Sequence, residues 1–403
     1  MRLLHTSDWH IGRTFHGHST DEHLAQVLAA IAVAVAEHGV DAVIVAGDIF
    51  DTSTPKADAF TMLGDAVRAI REAGATVILT SGNHDGPQRL GHMAEFASFG
   101  GVHVRTEVAA LAEPVTLTDE HGDVLVYGIP YLHPEFVRAA FPESDARTHG
   151  DALAFAMGAI RSDVAARSSA KGTTASGGPR YVVASHCFAA GGAEPTHDTT
   201  EDSGRAEERD ITRGGLNLVP LSTFEGPDYV ALGHIHSRVT LAENVRYCGA
   251  PLRFSFGERS SAKGAWLVDL GPDGVAETTW LELPTPREAV RLTGTLDDLL
   301  SPGAHEDAVD AWVEVVLTDD VRPRDAMRRI QECFPHAVTL RHEPANRTER
   351  ETQTYAERTA GKTDLELVDE FAAFVRNGQA LTDAERGLVT DTLGALEAKE
   401  ASR

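Results

Sequence analysis

Cysteine is scarce in these 403 residues: Cys187, Cys248 and Cys333 stand far apart and odd in number, which excludes a disulfide framework and a CxxC metal knuckle. A reducing, cytoplasmic setting is the resulting expectation. Long apolar runs are missing too. The longest, residues 27–36, is half of what a bilayer crossing needs and reads as a buried helix, so no membrane association is expected. The chain begins Arg2-Leu3-Leu4-His5-Thr6-Ser7-Asp8, without the basic region and apolar core of a secretory signal. Positive charge is also in short supply, with 36 Lys and Arg against 61 Asp and Glu and a formal net charge of −25. Any contact with nucleic acid therefore has to be local, metal-mediated or shared with a partner.

What is present is an alternation of short apolar runs with helical patterns over residues 1–285, the pattern of an α/β layered domain. Residues 21–38 carry Leu24, Val27, Leu28, Ile31 and Val35 at helical spacing before Gly39, and residues 57–73 repeat the arrangement before Gly74. A further strand is expected at 127–130 and a helix over 150–166. Residues 168–178, rich in Ser, Gly and Thr, read as a mobile loop, and the acidic segment 194–210 as an exposed excursion near the site.

The apolar runs draw their meaning from the polar residues at their ends. Residues 2–6 lead into Ser7-Asp8-Trp9-His10, 42–46 into Gly47-Asp48-Ile49-Phe50-Asp51, and 76–80 into Gly82-Asn83-His84-Asp85. Residues 181–185 lead into His186, and 229–232 into Gly233-His234-Ile235-His236. Five candidate strands thus end in Asp, Asn or His, and ligands gather at such ends in open α/β sheets. Asp8 and His10, at alternate positions of an extended tip, are expected to point to one side. The same D-x-H pattern at Asp21-Glu22-His23 lies where only a solvated helix start is expected. Asp48 offers two oxygens to bridge cations, Asn83 an amide oxygen, and His186, His234 and His236 imidazole nitrogens. Seven mixed oxygen and nitrogen ligands suit two divalent transition ions. Among 19 histidines a single one is more readily a core or surface residue, and His16, His18, His38, His92, His103, His121 and His336 are left unassigned. The set, at five strand ends and without a thiolate, carries the dinuclear reading.

Pro284-Thr285-Pro286 marks a boundary. Beyond it, strands at 289–292, 312–317 and 337–340 with a helix at 324–334 form a small α+β capping domain, residues 286–342. Residues 343–362 read as a linker. In the final segment, 363–403, Thr363 with Glu366 and Thr382 with Glu385 fit capping boxes, and two apolar stripes make a helical hairpin that needs a surface to dock on, this chain's own or another protein's. Gly361-Lys362-Thr363 resembles the end of a phosphate-binding loop, but Ala356 stands where its opening glycine belongs, so Thr363 reads as a helix cap.

The series Asp8-x-His10, GDIFD at 47–51, GNHD at 82–85, His186 and GHIH at 233–236 resembles the calcineurin-like metallophosphoesterases. LLHTSDWHIGRTFHG from Leu3, AGDIFDTSTP at 46–55, YVALGHIHSRV from Tyr229 and RYCGAPLRFSFGE to Glu258 resemble one branch, the SbcD family of nuclease subunits, over nearly all of 1–285. The resemblance implies a layered β-sandwich flanked by helices and a dinuclear, typically manganese-dependent nuclease that degrades double-stranded DNA from 3′ ends and cuts single strands and hairpins. It implies Asp8, His10 and His236 at one ion, Asn83, His186 and His234 at the other, Asp48 bridging, and Asp51 as a further member near the first. His84, oriented by Asp85, would contact the scissile phosphate and protonate the leaving oxygen. Implied partners are DNA, a second copy through the phosphoesterase helices, and an SbcC-like SMC ATPase in a heterotetramer, its coiled coil clasped by the last two helices, in the repair and recombination of a bacterial nucleoid. A small-molecule phosphodiesterase or phosphatase of the same superfamily is the alternative, disfavoured by the long extension after Pro286. A non-catalytic scaffold is disfavoured because every ligand position is filled.

Overall fold

The computed structural model describes residues 1–170, 179–190, 218–344, 361–376 and 378–401. Residues 171–178 of the expected loop, the acidic 194–210 segment and 345–360 of the expected linker lie outside these. The chain forms two compact units, Met1–Pro286 and Arg287–Arg403.

The strands of the first unit are, in chain order, β1 (Arg2–Thr6), β2 (Thr14–Phe15), β3 (His18–Ser19), β4 (Ala42–Ala46), β5 (Thr76–Thr80), β6 (Val102–Arg105), β7 (Val115–Asp119), β8 (Gly122–Ile129), β9 (Arg180–His186), β10 (Phe188–Ala190), β11 (Leu218–Pro220), β12 (Tyr229–Gly233), β13 (Val239–Ala242), β14 (Val245–Tyr247), β15 (Gly264–Gly271) and β16 (Gly274–Glu282). Two six-stranded sheets result, ordered β16-β15-β1-β4-β5-β6 and β13-β14-β12-β9-β8-β7. Within them β1, β4 and β5 run parallel, as do β8, β9 and β12.

Side-chain alternation explains why β4 reads Ala-Val-Ile-Val-Ala without a polar residue. Ala42 and Ile44, with Leu3 and Ile78, face the second sheet and meet Val126, Val182, Ala184 and Ala231. Val43 and Val45 face the other way, onto Leu24, Val27, Ile31 and Val35 of α1 (Asp21–His38) and Ile70 of α2 (Ala57–Glu72). The outer face of the second sheet packs Tyr127, Val183 and Val230 onto Leu153, Met157 and Ile160 of the helix His149–Ala170. Strands buried on both faces are continuously apolar, and each buried Ile or Leu contributes about 1.5–3 kcal/mol. The order helix, sheet, sheet, helix is the layered β-sandwich flanked by helices that the sequence leads one to expect.

His5 is a core histidine between the sheets: its ring nitrogens lie 3.0 Å from the Tyr229 hydroxyl and 3.1 Å from the Leu232 carbonyl. Burial lowers it to about 3, so it stays neutral. α1 spans the expected residues and ends on Gly39 at φ 60°, while Asp21 and Glu22 of the look-alike motif are exposed in its first turn. The strand expected at 127–130 is the end of the longer β8, and the expected 150–166 helix runs His149–Ala170. β7 and β16 escaped the sequence reading because alternate residues face solvent, which dilutes the apolar signal.

In the second unit β17 (Ala289–Gly294), β18 (Trp312–Leu317) and β19 (Ala337–His342) form a parallel sheet in that order. Leu292, Val313, Val315 and Leu317 pack on Ile330 and Phe334 at the helix Ala326–Cys333. Buried Glu314 is paired by Arg291 on one neighbouring strand and Arg341 on the other, at 2.5 and 2.9 Å. The helices Asp364–Val375 and Asp383–Ala401 come next, the first with its Thr363/Glu366 capping box formed. Reciprocal bonds join Thr382 and Glu385 at the second. No helix among the described residues is long and apolar enough to cross a membrane.

Arg180, at the start of β9, clamps the two sheets: it donates to Asp119 Oδ2 at 3.0 Å, to Gly122 O at 3.0 Å and to Gly271 O at 3.1 Å. The Arg180 hydrogen bond holds the Asp119 carboxyl below the usual range. A depressed carboxyl adds stability that is full above its unfolded value of about 4 and is lost as pH falls further. Arg180→Met is therefore expected to lower the unfolding midpoint at neutral pH by more than at about pH 3. Thermal melts of both proteins across that range test this, and a pH-independent difference would count against it.

Candidate metal centre

The carboxyl ends of parallel strands from both sheets meet at one place, and the backbone there is unusual. Of the seven non-glycine residues with positive φ among those described, four are Asp8 (53°), His10 (46°), Asp48 (51°) and His234 (106°). The extended tip expected at Asp8–His10 is thus corrected to a left-handed one, which costs of order 1–3 kcal/mol per residue unless the surroundings enforce it. Here they do. Asp8 N donates to Gly47 O at 3.0 Å, His10 N to Asp48 O at 2.9 Å, and His234 N to Asp8 Oδ1 at 3.0 Å. Gly82 is required by proximity, since a Cβ there would lie 2.1 Å from Asp48 Oδ1 and 2.4 Å from Asp48 N.

Two clusters of lone-pair atoms face inward. In one, His10 Nε2 lies 3.1 Å from His236 Nε2, and Asp8 Oδ1 is 4.0 Å from His236 Nε2. In the other, Asn83 Oδ1 lies 3.1 Å from His186 Nε2 and 3.1 Å from His234 Nδ1. Asp48 Oδ2 belongs to both, 3.5 Å from His10 Nε2 and 3.3 Å from His186 Nε2. Its Oδ1 is occupied by the His84 backbone N–H at 2.9 Å, so one oxygen faces both clusters where two were anticipated. Asp8, His10, Asp48 and His186 are buried, while Asn83, His84, His234 and His236 reach solvent. The groups Asp8/His10/His236 and Asp8/Asp48/His186 can each hold an ion, as can His10/Asp48/His84.

Protonation fits a cation site. Burial lowers His10 to about 4 and His234 to about 3, so both stay neutral. Burial works against a proton on His186, yet the Asp48 carboxylate lifts it to about 9, a proton standing where a cation would. Burial raises the neighbouring Cys187 thiol to about 12, consistent with an oxygen and nitrogen donor set.

One expected contact differs. The Asp85 carboxylate accepts the backbone N–H groups of Gly82, Ile49 and Phe50 at 2.8, 3.0 and 2.8 Å. It staples the 47–50 and 82–85 loops together, and the His84 ring is oriented instead by the Asp51 carbonyl, 2.8 Å from Nδ1. Asp51 stands behind the centre, its Oδ1 3.6 Å from His10 Nδ1. Sequence reasoning also passed over Glu258 and Lys263, a buried pair behind His236, although Glu258 closes the RFSFGE motif. Tyr131, whose ring centroid is 6.3 Å from that of His186, was missed as well; nothing in its own sequence context marks it.

The calcineurin-like phosphoesterase family profile matches residues 1–238. The chain belongs to this family. It is by family a metal-dependent phosphoesterase, and the family uses dinuclear metal centres. A second profile, SbcD_C, described as the type 5 capsule protein repressor C-terminal domain, matches residues 285–376. Among solved structures, TT1561 of Thermus thermophilus is similar at 15% identity and TM-score 0.36, over 69% of this chain and 98% of that one. A dimetal phosphatase from Danio rerio is similar at 11% identity and TM-score 0.37, over 70% and 99%. GAP50, the anchor in the inner membrane complex of Plasmodium, gives 11% identity and TM-score 0.38, over 86% and 98%.

Gly82→Ala is expected to destabilise the protein by about 1–3 kcal/mol, because the methyl has only the Asp48 backbone and carboxylate to push against. Chemical denaturation of both proteins measures the loss; unchanged stability would mean that the 82–85 loop yields freely.

Proposed function

We propose that this chain is the nuclease subunit of an SbcC–SbcD-type complex, hydrolysing DNA phosphodiesters at a centre of two divalent ions, manganese in particular. The observation that carries the centre is Asp48 Oδ2, shared between two inward-facing ligand clusters that each draw on both sheets. Asp8, His10 and His236 would hold one ion, Asn83, His186 and His234 the other, with Asp48 between them. Bound there, the ions supply an activated water and neutralise charge on the phosphate.

The remaining steps fall to side chains. His84 is fixed through Nδ1 on the Asp51 carbonyl, so on this partly exposed side chain Nε2 is the nitrogen left to reach a substrate. As an imidazolium it donates from Nε2 to a phosphate oxygen or to the departing 3′ oxygen. Asp85 keeps that loop in register by holding three backbone N–H groups.

The substrate class and partners are supported by the rest of the chain. The SbcD_C match covers the capping module and the first of the last two helices. Those helices expose Phe371 (63%) and Leu388 (70%), a surface suited to the coiled coil of an SMC-like ATPase. The stretch around the helix Ala94–Phe99 exposes Phe96 (64%) and Phe99 (82%), suited to a second copy, which gives two nuclease and two ATPase subunits. DNA end processing in repair and recombination is the corresponding role.

His84→Ala is expected to keep two manganese ions per chain and its affinity for DNA, while cleavage of a duplex or hairpin falls by about 10²–10⁴-fold. Metal analysis together with a nuclease assay tests this, and loss of an ion from the variant would make His84 a ligand instead. Deletion of 364–403 is expected to abolish co-purification with the ATPase while the first unit stays folded and metal-loaded. Complex formation that survives the deletion would remove the partner assignment. Hydrolysis of small phosphodiesters with no action on DNA would favour the small-substrate alternative.

A further inference from the structure

Behind His236 lies a buried arrangement that the reaction itself does not use. Glu258 Oε1 is 3.4 Å from His236 Nδ1, on the far side of the ring from the Nε2 that faces the centre. The same oxygen accepts from the Ser255 hydroxyl at 3.2 Å and the Phe254 N–H at 3.4 Å. Its partner oxygen takes a hydrogen bond from Lys263 Nζ at 2.5 Å, and Lys263 also donates to the His236 carbonyl at 3.0 Å. Both Glu258 and Lys263 are buried.

A buried carboxylate persists only when paired, and a buried ammonium likewise. The pair therefore carries its own neutralisation, and Oε1, which accepts from Ser255 and Phe254, also accepts the His236 Nδ1–H. That bond fixes the tautomer with its lone pair on Nε2 and raises the basicity of the ring toward a cation.

The two ligand clusters differ in this respect. Around Asp8, His10 and His236, carboxylates stand behind both imidazoles, Asp51 behind His10 at 3.6 Å and Glu258 behind His236 at 3.4 Å. Around Asn83, His186 and His234, the support of His186 is the neutral Ala46 carbonyl at 2.9 Å, and the third donor is a neutral amide. In the assignment proposed above, Asp8 and Asp48 are the anionic ligands of the first position and Asp48 that of the second, with Asp8 also close to His186 and Asp48.

We infer that Glu258, charge-balanced by Lys263, is a positioning residue that fixes His236 as a ligand and makes the Asp8/His10/His236 position the tighter of two unequal cation sites. The Asn83/His186/His234 position is then the exchangeable one, and its filling sets the fraction of active centres at a given free divalent concentration. This rests on the two-ion reading of the centre proposed above.

The test is a calorimetric titration of the full chain with manganese chloride, read as affinity, with no dependence on turnover. Wild type is expected to bind in two resolved steps. Asn83→Ala removes the weaker step, so that the tight one is read alone. In that background Glu258→Gln is expected to weaken the remaining step by about 10–100-fold. Because Glu258→Gln leaves Lys263 as a lone buried charge, the pair variant Glu258→Gln/Lys263→Met is measured beside it and is expected to show the same loss. An unchanged tight step in the pair variant overturns the inference while leaving the two-ion centre intact, as does a fall in the weak step alone or in both steps equally when the same pair variant is made with Asn83 intact. A wild type that binds fewer than two ions overturns the two-ion reading itself.

Discussion

A buried carboxylate oxygen held between imidazole nitrogens from two different sheets is the constraint on which the rest of this chain depends. Asp48 Oδ2 has His10 on one side at 3.5 Å and His186 on the other at 3.3 Å, and Asp8 is buried beside them. Lone pairs and negative charges brought this close repel unless positive charge lies among them. A proton on His186 serves in the absence of metal; divalent ions serve better. The fold provides the stiffness for this convergence. Strands buried on both faces cannot slide without exposing apolar side chains, so the loops at their ends are held while Asp8, His10, Asp48 and His234 take positive φ. Folding energy gained between the layers sustains that strain.

How much of this was legible in the sequence depends on whether the signal was local. The five strand ends could be read because β1, β4, β5, β9 and β12 are buried on both faces and carry apolar runs at their centres, with the polar cluster beginning soon after each. Helix α1 could be placed to the residue because its apolar spacing and Gly39 agree. Context also separated Asp8-x-His10 from Asp21-x-His23, since only the first comes after an apolar run, the two-residue β3 before the second being His18-Ser19. What could not be read is pairing across the chain. The family resemblance implied that Asp85 orients its neighbour His84. In space the Asp85 carboxylate turns to the backbone at Ile49 and Phe50, and the Asp51 carbonyl takes the His84 ring. Glu258 lies 22 residues from His236, and no spacing rule links them. Left-handed backbone at an aspartate or histidine leaves no trace in composition either.

The acidic balance of the chain bears on how such a centre meets a polyanion. A formal net charge of −25 acts at long range, but exposed charges are screened beyond about 8–10 Å at physiological ionic strength, so the field that matters near the centre is local. Two divalent ions against the carboxylates of Asp8 and Asp48 would leave a net positive charge of about two, beside Asn83, His84, His234 and His236, which reach solvent. Approach of a phosphate ester then depends on metal occupancy for its final contact. The same charge count explains why the carboxylates behind the histidines are kept at a distance: Glu258 is balanced by Lys263, and Asp51 has Arg13 at 3.7 Å. Each imidazole is polarised by a neighbouring anion while the positive charge that a phosphate would meet is left largely uncancelled.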